Sequence, residues 1–314
     1  MSETKTEWYF IVNPRAGSGV AMSEWFPVEQ TLTIKRIPFV TAMTDHKNHA
    51  VSLAHDAASK GYRRIAAVGG DGSLHEVLEG ICTYCAETGT APEEFYLAVV
   101  PIGSGNDWIK SCHVPNEIET VIDLIIKDSF GWMDVVRAVS KGGRIHYVAN
   151  GAGIGFDSHV CDRVNRQKER GMRARMIYLN ALRYTFFHLK PVRIVVWKDG
   201  AAVFAGEAYS LAVGNGPWSG GGMRQVPLAT NDDGQLDYMI VPKAKLYKLF
   251  REVPRLFSGT AHESSLIYSG RCRNLRITTL DEASEDIIEY DGEVEGQLPL
   301  DLEVTGSRIH VLKG

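Results

Sequence analysis

Three short loops in the first third of the chain combine glycine with hydroxyl, amide and carboxylate groups, a mixture suited to binding a phosphorylated ligand. Residues 13–19 read NPRAGSG, residues 69–73 read GGDGS, and residues 101–107 read PIGSGND. Glycine lets the backbone approach a ligand closely, and free amides at a following helix start attract anions. One exposed helix end contributes only about 0.3–1 kcal/mol, so a triphosphate needs several together. Tight strand-to-helix turns are the alternative for any single loop.

Asp71 lies inside the second of these loops, where its carboxylate would repel a phosphate unless a cation lay between them. Mg²⁺ in proteins prefers one or two carboxylates together with phosphate oxygens. The sequence therefore predicts that Asp71 belongs to a metal-linked network and does not bind phosphate directly.

Each loop follows a predicted strand, and the first 130 or so residues alternate strand and helix. Strands are predicted at 8–12, 38–43, 65–68 and 95–101, and helices at 23–36, 45–60, 73–85 and 118–127, with Pro27 in a first turn. This alternation predicts an α/β domain with a doubly wound parallel sheet covered on both faces. Because ligands bind at the carboxyl ends of such strands, all three loops are expected at one sheet edge.

The pattern changes near Gly131, after which predicted strands are separated by turn residues such as Asp233-Gly234. We predict an antiparallel, β-rich second domain with one or two helices. Its strands are predicted at 145–149, 192–197, 208–213, 236–241, 274–279, 287–290, 300–304 and 309–312.

Composition and missing motifs exclude several classes of protein. A net charge of −4 argues against a nucleic-acid partner. The polar N-terminus lacks the features of a secretory signal and no apolar run could span a membrane, so a cytoplasmic location is expected. The CxxC at Cys82 and Cys85 has no second pair, which favours buried thiols over a metal or redox site. GxxxxGK[ST], GxSxG and HExxH are absent, and Phe156 breaks the dinucleotide-like GAGIG run.

Taken together, the motifs resemble the diacylglycerol kinase catalytic family, which includes bacterial lipid kinases, sphingosine kinases and ceramide kinases. The resemblance covers nearly the whole chain in the expected order. Ser73 and Ser104 stand where the family usually has threonine, and His75 where asparagine is common. The matching segments are FIVNPRAGSG, AVGGDGSLHEV, PIGSGNDWIKS, VANGAGIGFDSHV, VGNGPWSGGGMRQVPLATNDDGQLDYMIV and EYDGEVEG.

The resemblance implies two domains, a nucleotide domain at 1–133 and a β-sandwich domain at 134–314, with the last strand able to pack back on the first domain. It also implies ATP as the phosphoryl donor, bound between the domains. The residues that the resemblance assigns to the nucleotide are Asn13, Pro14, Arg15, Ala16, Gly17, Thr44, Gly69, Gly70, Asp71, Gly72, Ser73, Leu74, Ser104, Asn106 and Asp107.

Two acidic turns in the second half of the chain could each be a plain turn or a functional site. TNDDGQLD at 230–237 is typical of a hairpin, but the resemblance implies a structural Mg²⁺ held by Thr230, Asp233 and Gln235. The turn at 291–293 is likewise implied to be catalytic, with Asp291 or Glu293 as the base and Asp71 assisting. Asp134 is implied to link Asp71 to the metal, and a solvated surface acid is the alternative.

The resulting hypothesis is an ATP- and Mg²⁺-dependent lipid kinase that meets diacylglycerol or a related lipid at a membrane surface. The basic, amphipathic stretch at 168–190 and Trp218 are candidates for membrane contact, although the stretch could instead cover the second domain's sheet. A kinase for a soluble substrate such as NAD and a degenerate nucleotide-binding regulator are the alternatives. The sequence leaves the lipid undetermined and a homodimer open.

Overall fold

The computed structural model describes residues 4–103, 106–169, 180–181, 183–185, 188, 190–281 and 286–314. The chain divides into two compact units, one formed by residues 1–135 with 306–314 and the other by residues 136–305. We call them the first and second units.

The first unit alternates strands and helices. Its elements are β1 (Lys5–Val12), α1 (Ala21–Ile34), β2 (Phe39–Met43), α2 (His49–Ser59), β3 (Tyr62–Gly69), α3 (Asp71–Thr88), β4 (Tyr96–Pro101), α4 (Asp107–Ser111), α5 (Ile118–Ile126) and the start of β5 (Phe130–Val139).

A parallel sheet with strand order β2-β1-β3-β4 forms the centre of this unit. Residues His310 and Val311, near the C-terminus, add a fifth parallel strand beside β4. The strands are almost continuously apolar because helices cover both faces. Phe10, Ile65 and Leu97 are fully buried.

Helix α3 shows how the sequence determines a local element. Its buried residues Leu74, Val77, Leu78, Ile81 and Cys85 recur at helical spacing, and Gly89 ends the helix at φ +72°. Burial raises the pKa of the Cys85 thiol to about 12 and that of Cys82 well above its usual range. The prediction of buried thiols at the CxxC is therefore confirmed.

The second unit is dominated by antiparallel strands. Its elements are the end of β5, then β6 (Ile145–Val148), β7 (Gly151–Gly155), α6 (Phe156–Glu169), β8 (Val192–Lys198), β9 (Ala201–Gly214), β10 (Leu236–Pro242), α7 (Leu246–Ser258), β11 (Tyr268–Cys272), β12 (Asn274–Thr279), β13 (Ile287–Tyr290), β14 (Glu293–Gln297) and β15 (Leu300–Leu312), which continues into the first unit.

These strands pair in the order β14-β13-β7-β9-β8-β12-β15, and β10 bridges β9 and β11. The long β9 pairs with β8 in its first half and with β7 and β10 in its second. Six strands contribute fully buried side chains to one core: Ile194, Leu211, Ile240, Ile277, Ile288 and Leu300. The predicted combination of a parallel α/β sheet and an antiparallel β-sandwich is confirmed.

Several predicted element limits were wrong. Strands β5, β7, β11 and β14 were not predicted, and β15 is one strand where two were expected. Gly306, at φ +88°, lets the strand continue through a Thr-Gly-Ser run typical of a turn. Helix α1 begins at Ala21, so Pro27 is its seventh residue and does not lie in the first turn.

Among the helices in the described part of the chain, none is both long and apolar enough to cross a bilayer.

Gly80 allows helices α2 and α3 to pack closely, and this contact makes a testable prediction. A Cβ at residue 80 would overlap the carbonyl oxygen of Val51 and lie 2.8 Å from the Ala54 Cβ. We expect Gly80→Ala to lower the free energy of unfolding by about 2–3 kcal/mol. Gly89→Ala, in open space at the end of the same helix, should cost only about 1 kcal/mol for its positive φ. Urea unfolding followed by circular dichroism measures both, and equal losses would contradict the steric explanation.

Candidate functional site

The three glycine loops meet within the first unit. A Cβ added to Gly103 would lie 3.2 Å from the Gly70 Cα, and one added to Gly17 would lie 3.1 Å from the Ile102 side chain. The Ile102 N–H donates to the Gly69 carbonyl at 2.9 Å. A side chain at Gly103 would therefore push the second and third loops apart, whereas a Cβ at Gly70 would meet Gly103 at an ordinary contact distance of 3.9 Å. The expected convergence at one sheet edge is observed.

Asp71 joins the second loop to the third. Its two carboxylate oxygens accept hydrogen bonds from the backbone N–H groups of Asp107 at 2.9 Å and Trp108 at 3.1 Å. These are amides at the start of α4, which otherwise have no partner within the helix. The anion that this helix start attracts is therefore a carboxylate of the protein itself.

Glu76, five residues further along α3, holds the start of helix α2 in the same way. Its carboxylate accepts the backbone N–H groups of Asn48 and Ala50, both at 3.1 Å. Helix α3 thus supplies two capping acids, Glu76 for α2 and Asp71 for α4. Both acids also hold the loops that precede these helices.

A pocket opens between the first loop, the start of α3 and the segment after β2. It is lined by Ile11, Asn13, Arg15, Thr44, Asp45, His46, Lys47, Ala50, Ser73 and Glu76. Four of the predicted nucleotide contacts, Asn13, Arg15, Thr44 and Ser73, therefore lie together. The Asn13 amide donates to the Ser73 hydroxyl at 3.3 Å. Hydroxyl and amide groups beside the cations of Arg15 and Lys47 suit a phosphorylated ligand.

The other predicted nucleotide residues that the structure describes belong to the three loops but do not line this pocket. Asp107 is buried and its carboxylate accepts from the Lys110 ammonium at 2.6 Å. Asn106, at φ +46°, donates its amide to the Gly103 carbonyl at 3.3 Å. Ser104 lies outside the described residues. Pro14, Ala16, Gly17, Gly69, Gly70, Gly72 and Leu74 belong to the first two loops and to the start of α3.

Sequence analysis missed the Asp45, His46 and Lys47 side of the pocket. Both His46 and His49 direct Nδ1 to the Asp45 carboxylate, and the hydrogen bond with His46 is the main cause that lowers the pKa of Asp45. The Asp45 carbonyl also accepts from Arg15 at 3.3 Å. No motif marks this segment, which was predicted as helix, whereas α2 starts only at His49.

Asp134 is almost fully buried in β5, with its carboxylate 3.2 Å from the Arg308 guanidinium. The alternative of a solvated surface acid is therefore wrong. The role of Asp134 as a metal ligand stays a prediction.

The acidic turn of the second unit brings Thr230, Asp233 and Gln235 together. The Asp233 carboxylate accepts the Thr230 hydroxyl at 2.8 Å and the Gln235 backbone N–H at 3.0 Å, and it also pairs with the Arg271 guanidinium. Oxygen donors suit a hard cation. Since Arg271 already neutralises Asp233, a metal ion at this turn would have to displace that guanidinium, so the fit to Mg²⁺ is partial.

Asp291 occupies the turn between β13 and β14 in a left-handed conformation, φ +50°. Its carboxylate accepts three backbone N–H groups, from Ala149 and Asn150 at 2.8 Å and from Gly151 at 2.9 Å. Glu293 begins β14 two residues later and is half-buried. The two acids that the sequence could not separate therefore differ, because Asp291 holds a neighbouring backbone segment in place.

A buried carboxyl group, Asp157, was not predicted. It lies at the start of α6, where Ser210 and Gln225 both donate to it. Burial raises its pKa, against the opposing effect of those two hydrogen bonds. Gly153, in β7, leaves the space for Asp157 and Glu289, since a Cβ there would lie 2.7 Å from a Glu289 oxygen. The GAGIG run is thus a strand and not a phosphate-binding turn.

Two family profiles together match most of the chain. Residues 7–138 match the diacylglycerol kinase catalytic domain. Residues 151–313 match the YegS C-terminal NAD kinase beta sandwich-like domain.

Individual relatives match over nearly the whole length. A diacylglycerol kinase of Mycobacterium tuberculosis is 25% identical over 306 residues, covering 96% of this chain and 94% of its own. A solved diacylglycerol kinase of Bacillus anthracis has a TM-score of 0.70 at 22% identity, covering 98% and 97%. An NAD kinase of Archaeoglobus fulgidus in complex with ATP has a TM-score of 0.51 at 11% identity, covering 98% and 93%. These two structural likenesses show a shared fold.

The raised pKa of Asp157 predicts a specific pH dependence. An acid with a folded-state pKa above its unfolded value stabilises the fold below the unfolded pKa and loses that contribution as pH rises through the folded pKa. We therefore expect the stability of Asp157→Asn, relative to the native chain, to rise from about pH 4 upward and then level off. Urea unfolding across this range measures it, and Asp162→Asn on the same helix serves as the control. A constant difference would contradict the prediction.

Proposed function

Because the chain belongs to the family that joins a diacylglycerol kinase catalytic domain to a YegS C-terminal domain, we propose that it transfers the γ-phosphoryl group of ATP to the hydroxyl of diacylglycerol or a related lipid. The observation that carries the proposal is the pocket of the first unit, where Asn13, Arg15, Thr44 and Ser73 lie together.

The pocket's chemistry supports a nucleotide as its ligand. Arg15 and Lys47 would meet phosphate oxygens with charge-assisted hydrogen bonds, while Asn13, Thr44 and Ser73 offer neutral donors and acceptors. The amides that start α2 and α4 already bind Glu76 and Asp71. These helix starts are therefore not available to a phosphate. We assign phosphate binding to Arg15, Lys47 and the neutral side chains of the pocket, together with the first two loops.

We propose Mg²⁺ as the metal cofactor. Its candidate ligands are Asp134 in the first unit and, separately, the turn of Thr230, Asp233 and Gln235 in the second unit. When bound, Mg²⁺ neutralises the charge on the phosphates and on the transferring group. Asp71 is proposed to act mainly by holding α4 in place, since its carboxylate accepts two amides there.

We assign the base to Glu293. Phosphoryl transfer to an alcohol needs a group that accepts the hydroxyl proton. Asp291 already accepts three backbone N–H groups, and moving it or protonating it would release the segment at 149–151. Glu293, half-buried at the start of β14, is therefore the acid that we propose for the base role.

Transfer of label from ATP tests the proposed activity. The full chain is incubated with γ-labelled ATP, Mg²⁺ and, separately, diacylglycerol, phosphatidylglycerol, sphingosine and NAD. Label in the lipid fraction with diacylglycerol or another lipid is expected. Label on NAD alone would favour a soluble-substrate kinase, and ATP binding without any transfer would favour a regulator. Either result would overturn the lipid kinase proposal.

A pair of variants separates the two acids. Glu293→Gln should lower kcat by about a hundredfold to ten-thousandfold while leaving urea unfolding unchanged. Asp291→Asn should lower the free energy of unfolding by about 2 kcal/mol, because its amide group would face a backbone N–H donor. Glu295→Gln, on the same strand, is the control for both measurements. Full activity in Glu293→Gln would remove Glu293 from the base role.

A further inference from the structure

Asp45, His46 and His49 form a cluster of metal-ligating side chains at the edge of the pocket in the first unit. One ligand atom from each residue lies within 4.8 Å of the other two. Both imidazole Nδ1 atoms approach the same carboxylate oxygen, Asp45 Oδ1, and that of His49 is 2.8 Å from it. In the part of the chain that the structure describes, no other three histidine, cysteine, aspartate or glutamate side chains bring their ligand atoms so close. Either hydrogen bonding alone or a bound cation could explain this convergence.

The backbone of the turn between β2 and α2 holds these residues in place. Asn48, at φ +64°, leads the chain into α2, and the His49 N–H donates to the His46 carbonyl at 3.4 Å. The Glu76 carboxylate accepts the Asn48 N–H at 3.1 Å and so ties the turn to helix α3. Because these hydrogen bonds already order the backbone, bringing the three ligands together costs less when an ion binds.

Hydrogen bonds alone leave an unfavourable contact at His49 Nδ1. The Asp45 backbone N–H points at this nitrogen at 3.2 Å, which requires an unprotonated Nδ1 with an available lone pair. The same nitrogen lies 2.8 Å from Asp45 Oδ1, which accepts hydrogen bonds when the carboxylate is ionised. An unprotonated Nδ1 therefore faces a second acceptor, whereas a protonated one would face the backbone N–H. A cation bound by both the nitrogen and the carboxylate removes the conflict, and the exposed N–H can turn to water.

The side chains have room to close around an ion. Those of Asp45 and His46 are 73% and 67% exposed, whereas that of His49 is 22% exposed. The two imidazole rings stack 4.5 Å apart and within 12° of parallel. Because a ring nitrogen binds metal in the plane of its ring, coordination of one ion by both requires the rings to turn out of this stack. The exposed His46 ring is the one expected to move, with His49 as the more fixed ligand.

We propose that Asp45, His46 and His49 bind a divalent transition-metal ion such as Zn²⁺. Imidazole nitrogen suits Zn²⁺ and related ions, whereas Mg²⁺ prefers oxygen ligands. Three protein ligands leave one position of a tetrahedral zinc ion open. Since Asp45 and His46 also line the pocket, an anionic ligand bound there could fill that position. The proposal goes beyond the kinase function and does not depend on it.

Isothermal titration calorimetry with metal salts tests the proposal without ATP or lipid, so a failure of the kinase proposal would not affect it. Near neutral pH the native chain should bind Zn²⁺, and excess Mg²⁺ should not displace it. Loss of even a hydrogen-bonding partner of a ligand costs about 10–100-fold in affinity, so His46→Ala with His49→Ala should bind Zn²⁺ at least about tenfold less tightly. His55→Ala removes another histidine of α2, one that pairs with Glu87 at 2.9 Å, and should leave the affinity unchanged.

Asp45→Asn provides the second arm, because it keeps the size of the side chain and removes the charged ligand. It should weaken Zn²⁺ binding by about tenfold or more with the circular dichroism spectrum unchanged, and it decides the question if the histidine variant fails to fold. Equal Zn²⁺ affinity of the native chain and the folded variants would overturn the proposal, since the ion would then be bound elsewhere. Absence of Zn²⁺ binding by the native chain, or displacement of Zn²⁺ by Mg²⁺, would also overturn it.

Discussion

Carboxylates that accept backbone amides of distant loops are the interaction on which the candidate site depends. Asp71 binds the amides of Asp107 and Trp108, Glu76 those of Asn48 and Ala50, and Asp291 those of residues 149–151. A backbone N–H that has no partner away from water is costly, and a loop without regular pairing must obtain its partners from side chains. Each acid therefore holds a neighbouring turn at a defined distance.

These hydrogen bonds to backbone amides change how Asp71 and Asp291 are interpreted. Asp71 and Asp291 lie in the segments that most resemble the family, and a chemical role is the first hypothesis for both. Their contacts give them a structural task that an amide substitution would also disrupt. A loss of activity in an amide variant of Asp71 or Asp291 is therefore ambiguous without a stability measurement.

Much of the fold was predictable because its signals are local. Alternating strand and helix periods, and glycines after strands, indicated the parallel sheet and the meeting of the loops. Strand β5 was missed because Gly131 and Asp134 interrupt its apolar pattern, and only the fold reveals that Arg308 pairs with that acid. The capping pairs join residues far apart in sequence, so no local pattern encodes them. The position of helix α7 was not predicted, although its apolar residues follow helical spacing.

The route of strand β15 affects the order in which the protein can form. Residues 306–314 belong to the first unit, yet they follow the whole second unit in the chain. His310 pairs with Tyr96 and stacks on its ring at 4.4 Å, and Lys313 donates its backbone N–H to the Ser129 carbonyl. During synthesis on the ribosome the edge of β4 must therefore wait unpaired until more than half of the polypeptide has followed. Completion of the first unit is thus a late event in biogenesis.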